Sequence, residues 1–178
     1  ELRGSRDAPV RHVSLRGLTL RDTRPSYLEP RGNPSGGDWA LERLGALLLE
    51  GTEGFSVEGC TFSRLDSNGI MLSGYNRNAT IRDNEFIGLG QSAIAAWGRL
   101  EGESNRGLSG DQPRGTLVEA NVCHEIGSIQ KQSSFYFQAV AAQTTLRANV
   151  VFNIPRAAVN FNDGFGGANV LVRNLLFN

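Results

Sequence analysis

Apolar residues recur along this chain in a short motif, apolar-x-x-Asn-x-apolar. It reads Ile81–Asn84–Phe86, Val118–Asn121–Cys123, Leu146–Asn149–Val151 and Leu171–Asn174–Leu176. Two earlier copies, Leu15–Leu18–Leu20 and Val57–Cys60–Phe62, lack the asparagine. Successive copies start 42, 24, 37, 28 and 25 residues apart. Self-similarity at such a period marks a solenoid, in which each repeat buries its apolar face against the next. A second element keeps step with the first. An alternating strand begins 13 residues after the motif at Ile70, Ile94 and Val159, and 17 residues after it at Phe135. That places about four inserted residues near Ser128–Gln132. The next motif restarts 9 residues on, from Leu72 to Ile81 and from Phe137 to Leu146.

A helical repeat would set apolar residues at i, i+3, i+4 and i+7 over a dozen positions. Here the apolar runs are short, β-branched or aromatic, and broken by Gly and Asn. The pattern therefore predicts an all-β chain, a right-handed parallel β-helix of about six coils, truncated at both ends. It forms one β-helix unit over 1–178, a fragment of a longer chain. Pro- and Gly-rich loop insertions are expected at about 22–44 and 98–115. Solenoid insertions collect on one face, often the binding face. Stacked about 4.8 Å apart, Asn84, Asn121, Asn149 and Asn174 would form an amide ladder at a turn. Asn121→Ala is then expected to destabilise the stack.

Composition changes this picture little. Lys and Arg total 18 and Asp and Glu 18, which gives no pull towards nucleic acid or a charged membrane surface. No apolar run approaches the roughly 20 residues that span a bilayer. Cys60 and Cys123 fall two coils apart, about 9.6 Å of rise, too far for a disulfide. Both are expected reduced and buried. Asn78-Ala79-Thr80 is a glycosylation sequon, meaningful only in a eukaryotic secreted protein.

Four runs carry a resemblance: Pro34-Ser35-Gly36-Gly37-Asp38-Trp39-Ala40-Leu41, Met71-Leu72-Ser73-Gly74-Tyr75-Asn76, Ala93-Ile94-Ala95-Ala96-Trp97-Gly98 and Asn160-Phe161-Asn162-Asp163-Gly164-Phe165-Gly166-Gly167. From about residue 10 onwards the chain resembles a secreted right-handed β-helix family of the pectate-lyase-like superfamily. The resemblance implies a secreted or cell-surface protein that meets polysaccharides. It implies a polysaccharide lyase, a glycoside hydrolase or an epimerase, and a further coil beyond Asn178.

Alternation along the repeated strand sorts its side chains to two faces. Ile70, Leu72, Ile94, Ala96, Phe135, Phe137, Val159 and Phe161 are expected inside. Two outward columns follow, Met71/Ala95/Tyr136/Asn160 and Ser73/Trp97/Gln138/Asn162, with Asp163 at their edge. Trp97, Tyr136, Gln138, Asn160 and Asn162 would suit a sugar-binding groove, aromatic faces on pyranose rings and amides on hydroxyls. The competing reading has Trp97 and Tyr136 roofed by the loops at 98–115 and 128–132. Asp163 is the candidate catalytic carboxylate of a glycoside hydrolase; its partner is expected from the coil beyond Asn178, with the loop residues Glu125 and Asp111 as the alternatives. A lyase would draw its base and cation from His124, Lys131 and Arg156. A non-catalytic carbohydrate-binding stalk or adhesin is the third reading. No metal site and no cofactor are expected, since no Asp cluster has calcium-site spacing.

Overall fold

In a computed structural model of the chain, residues 1–34, 39–100, 109–162 and 166–178 are described. Six coils follow one another. The first holds β1 (Leu2–Arg3), β2 (Val10–Arg11), β3 (Ser14–Arg16) and β4 (Thr19–Arg21), and the second β5 (Gly45–Glu53), β6 (Ser56–Glu58) and β7 (Thr61–Leu65). The third holds β8 (Asn68–Arg77), β9 (Thr80–Arg82) and β10 (Glu85–Leu89), and the fourth β11 (Ile94–Trp97), β12 (Pro113–Arg114), β13 (Leu117–Glu119) and β14 (Val122–His124). The fifth holds β15 (Tyr136–Ala139), β16 (Thr145–Arg147) and β17 (Val150–Phe152), and the sixth β18 (Val159–Phe161), β19 (Val170–Val172) and β20 (Leu175–Leu176).

Each coil adds one strand to each of three parallel sheets. The first sheet runs β1-β5-β8-β11-β15-β18, with β2 and β12 alongside. The second runs β3-β6-β9-β13-β16-β19 and the third β4-β7-β10-β14-β17-β20. All the ladders between these strands are parallel, and the architecture is a right-handed parallel β-helix, as the repeat predicts. Right-handed crossovers are the rule for parallel strands, because twist and chain direction pack back only that way.

The recurring motif is the corner between the second and third sheets. Its first apolar residue, as in Val57, Ile81, Val118 and Leu146, is buried in the second sheet. Its last, as in Phe62, Phe86, Cys123 and Val151, is buried in the third. Phe62 and Phe86 stack at 4.8 Å between centroids, one coil apart. Between the two lies a sharp bend. The residue before the ladder position is left-handed in every coil: Gly17, Gly59, Asp83, Ala120, Ala148 and Arg173, with φ between 53 and 63°. That conformation turns the chain without a loop.

The asparagine ladder closes the corner. Each amide nitrogen donates to the Oδ1 of the next asparagine, Asn84 to Asn121 at 3.0 Å, Asn121 to Asn149 at 3.0 Å and Asn149 to Asn174 at 2.8 Å. The same Nδ2 also donates back to a carbonyl of the motif's first residue, as Asn121 does to Ile81 at 2.9 Å. Each backbone N–H joins in, Asn84 N on Asn121 Oδ1 at 3.0 Å. The ladder extends to a coil without asparagine, where Cys60 N donates to Asn84 Oδ1 at 2.9 Å. Cys60 and Cys123 are both free and buried, and burial pushes the Cys123 thiol well above its ordinary value.

Candidate functional site

The outward stripe is displaced in the fifth coil. Ile94 pairs with Tyr136, Ala95 with Phe137, Ala96 with Gln138 and Trp97 with Ala139. The insertion before this strand is thus five residues rather than four, and a one-residue slip sends every side chain to the opposite face. Tyr136 and Gln138 point into the coil, and Phe137 points out. Phe135 stays inside at the strand's start, edge-on to Phe86 at 6.4 Å. The offset of 9 before the next motif does not hold there either, because Gln138, not Phe137, stacks in register with Leu72 and Ala96. The interior accepts Tyr136 because its hydroxyl is satisfied. It donates to Gln138 Oε1 at 3.2 Å and lies 3.0 Å from Thr144 Oγ1. Gln138 Nε2 donates in turn to the Ala141 carbonyl at 3.3 Å. Burial raises the Tyr136 phenol above its usual range, partly offset by Thr144.

The outward columns are roofed, although by the earlier of the two large insertions. Trp39 and Leu41 pack with Leu48, Met71, Ala95 and Phe137 into a second apolar cluster. Trp39 stacks on Phe137 at 5.3 Å, and the Arg156 guanidinium lies 4.9 Å from the Trp39 ring. The loop is pinned by a buried carboxylate. Glu42 takes Arg31 Nη2 at 2.7 Å on one oxygen and Ser67 Oγ at 2.8 Å on the other. Trp97 is half-buried, with Arg43 stacked 3.7 Å from its ring centroid. Gly32 closes on the same ring, since a Cβ there would lie 2.6 Å from Trp97 Cη2. Of the five groove residues, Asn160 and Asn162 do face outward and are half-buried. Asp163 lies outside the described residues.

Beyond this roof, the same outer face opens into a cleft of about 540 Å³. The turn after β1 supplies Arg6 and Asp7, β5 supplies Glu50, β8 supplies Tyr75, and the far wall supplies Arg99 and Asp111. Two devices build it. β5 and β8 are the longest strands described, and each carries a left-handed glycine, Gly51 with φ 64° and Gly74 with φ 62°. The pairing shifts register between Glu50 and Thr52. Such a bulge re-aims side chains at the end of a strand. The backbone also comes very close: a Cβ on Gly51 would sit 2.2 Å from Gly4 C. Arg6 bonds the Ser109 carbonyl and ties the two walls together.

Inside the cleft the carboxylates differ. Glu50 is committed: Arg99 Nη2 is 2.5 Å away, Arg99 Nε 3.1 Å, and Ser73 Oγ donates at 3.3 Å. Asp7 and Asp111 carry no ion pair through their carboxylates among the described residues. Tyr75 donates to Glu53 at 2.5 Å, and Glu53 also accepts from Arg11 Nε at 2.8 Å. The bond to Glu53 raises the Tyr75 phenol, and Tyr75 with Arg11 holds Glu53 below the ordinary carboxylate range. Arg77 covers the Tyr75 ring at 4.2 Å. Arg43 links roof to cleft, donating to Ser73 Oγ at 3.2 Å and to the Trp97 carbonyl at 2.7 Å. Burial and the nearby Arg99 charge push Arg43 down to about 10, so it stays cationic at neutral pH. No cluster of three or more His, Cys, Asp or Glu among the described residues could hold a metal.

Sequence reasoning reached Asp111 and missed the rest of the cleft. The available signal was a glycine inside each of two long strand patterns, Leu49-Glu50-Gly51-Thr52 and Ser73-Gly74-Tyr75-Asn76, since such a glycine marks a bulge. No protein-family model matches the chain, and no curated protein matches it. A solved structure described as a glycoside hydrolase matches with a TM-score of 0.47 at 16% identity. The match covers 68% of this chain and 25% of that one, so the chain spans about a quarter of that protein.

Proposed function

We propose that the chain binds an oligosaccharide in the cleft between β5, β8 and the Ser109–Asp111 turn, as part of a polysaccharide-cleaving glycoside hydrolase met outside the cell or at its surface. The observation that carries this reading is that two carboxylates without an ion pair among the described residues, Asp7 and Asp111, line one cleft with Tyr75 and two guanidinium groups. Sugar hydroxyls both donate and accept, and this lining offers acceptors in its carboxylates and donors in Arg6 and Arg99. Hydrolysis needs one carboxyl to protonate the glycosidic oxygen and a second to take a proton from water or to attack the sugar carbon. Asp7 and Asp111 fill those two roles, while Glu50, held by Arg99, positions the far wall. The sequence-level groove moves with this reading, from the roofed stripe to the cleft beside it.

The test titrates the chain with soluble pectin, xylan, alginate and β-glucan oligosaccharides and follows reducing-end release from the polymers. One class of glycan is expected to bind. Tyr75→Ala should weaken that binding about tenfold, which is some 1.4 kcal/mol. Asp7→Asn and Asp111→Asn should keep binding and stop cleavage. If Tyr75→Ala binds like the wild type, the cleft is not the site. If Asp163→Asn alone stops cleavage, the catalytic pair is wrong while the binding reading stands.

A further inference from the structure

Arg43 stands where the roof meets the cleft, and it grips backbone rather than a carboxylate. The roof delivers it there. Leu41 pairs with Gly32 through both backbone N–H groups, at 2.9 and 3.0 Å, and Glu42 is pinned by Arg31 and Ser67. β11 ends at Trp97, and at that point the guanidinium forks. Nη1 donates to the Trp97 carbonyl at 2.7 Å, Nη2 donates to the Gly98 carbonyl at 2.7 Å, and Cζ lies 3.7 Å from the Trp97 ring centroid. Two consecutive carbonyls on one planar fork fix the direction of the chain as it leaves the sheet, which a single ammonium could not do.

The next residue carries that direction into the cleft. The Arg99 N–H donates to the Asp111 carbonyl at 2.8 Å, and the Arg99 carbonyl accepts Gln112 Nε2 at 3.2 Å, so this residue closes the base of the insertion that holds Asp111. The Arg99 side chain turns to Glu50, with Nη2 2.5 Å and Nε 3.1 Å from Oε1. Ser73 links the two arginines, accepting from Arg43 Nη1 at 3.2 Å and donating to the same Glu50 oxygen at 3.3 Å. From the other side Arg77 holds the Asp111 turn, donating to the Gly110 carbonyl at 2.7 Å and to the Gln112 carbonyl. Loss of Arg43 would therefore shift the turn and not release it.

We propose, resting on the assignment of Asp111 to the reacting pair, that Arg43 is a positioning residue for cleavage: its clamp on the Trp97 and Gly98 carbonyls sets Asp111 and Arg99 in the cleft. It acts through the backbone of residues 97–99 and does not line the cleft itself. Misplacing a reacting group by about 1 Å costs about 10²-fold in rate. Arg6 and Asp7 stand on the turn after β1 and the Tyr75 ring is covered by Arg77, so glycan binding should outlast the loss of Arg43.

The experiment pairs steady-state cleavage of the glycan that the wild type prefers with amide exchange of the isotope-labelled chain. Arg43→Ala should lower kcat about a hundredfold and leave KM within about threefold. Methylguanidinium should restore about tenfold of that loss and methylammonium should not, since only the former presents a fork. Exchange at the Arg99 amide should quicken about tenfold while that at Asn121 holds. Arg43→Lys keeps the stem and the charge beside Trp97; should the alanine variant unfold, it carries the same test, with lower kcat and faster exchange at Arg99. A raised KM with kcat intact would overturn the positioning of Asp111, and equal rescue by both cations would overturn the fork. Unchanged exchange at Arg99 would overturn the clamp whatever the kinetics. A wild type that cleaves no glycan would remove the reading beneath the proposal, and exchange at Arg99 alone would then decide the clamp.

Discussion

Asn121 belongs to a column in which every amide serves the coil above and the coil below. Its Oδ1 accepts from Asn84 N and Nδ2, and its Nδ2 donates to Asn149 and Ile81. Truncation strands partners that are buried away from water, and a buried unsatisfied donor costs about 1–3 kcal/mol. Asn121→Ala should lower the urea midpoint accordingly, while the exposed Asn33→Ala should leave it in place. Coincident midpoints would remove the ladder's energetic role. Tyrosines give a second readout. Tyr136 is raised by burial and Tyr75 by its bond to Glu53. For a group raised in the fold, the stabilisation is complete below the unfolded value, about 10 for a phenol, and is lost as pH climbs through the folded one. Absorbance titration should therefore find these two of the 3 tyrosines ionising later in the native chain than in urea, with stability falling above about pH 10. Superimposable native and unfolded titrations would contradict it.

At the scale of elements, the decisive one is the loop that ends in Trp39, Leu41 and Arg43. It turns an outward strand face into interior, burying Met71, Ala95 and Phe137 as a second core. Its contact with Trp97 depends on Gly32, where a Cβ would lie 2.6 Å from the indole. Gly32→Ala should lift the loop from the ring, costing about 1–3 kcal/mol as overpacking does. Tryptophan emission should shift to the red and the urea midpoint should fall. An unchanged spectrum and midpoint together would mean that the loop does not rest on Trp97. The long strands β5 and β8 work the other way. The register shift between them, at the left-handed Gly51 and Gly74, carries Glu50 and Tyr75 past the roof to the open cleft.

The whole molecule is nearly one-dimensional, because each coil contacts the coils above and below it in the stack. Stability in such a stack is a sum of coil and interface contributions, and the ends open first. The third and fourth coils have neighbours on both sides and the most completely buried columns, whereas the sixth leaves Leu171 and Leu176 bare on one side. Native-state hydrogen exchange should grade accordingly, slowest in β8 and β11 and fastest in β18 to β20. Uniform protection along the stack would show instead that it opens as one cooperative unit.

Much of this was legible in the chain itself. The motif from Ile81 to Phe86 and its copies determined the coil, its corner and its ladder, because apolar burial and amide pairing repeat wherever the same residues repeat. Balanced charge and the two separated cysteines narrowed the rest. Which face Tyr136 takes was not legible: Phe135-Tyr136-Phe137-Gln138 alternates acceptably in either register, and only pairing with Ile94 and Ala96 chooses one. The roof over Phe137 depends on Trp39, 98 positions earlier in sequence, and the cleft on Asp7, Glu50, Tyr75 and Asp111 from four separate coils. Local pattern dictates local conformation. Contacts between distant segments are settled only when the coils stack, since it is stacking that brings those segments within reach.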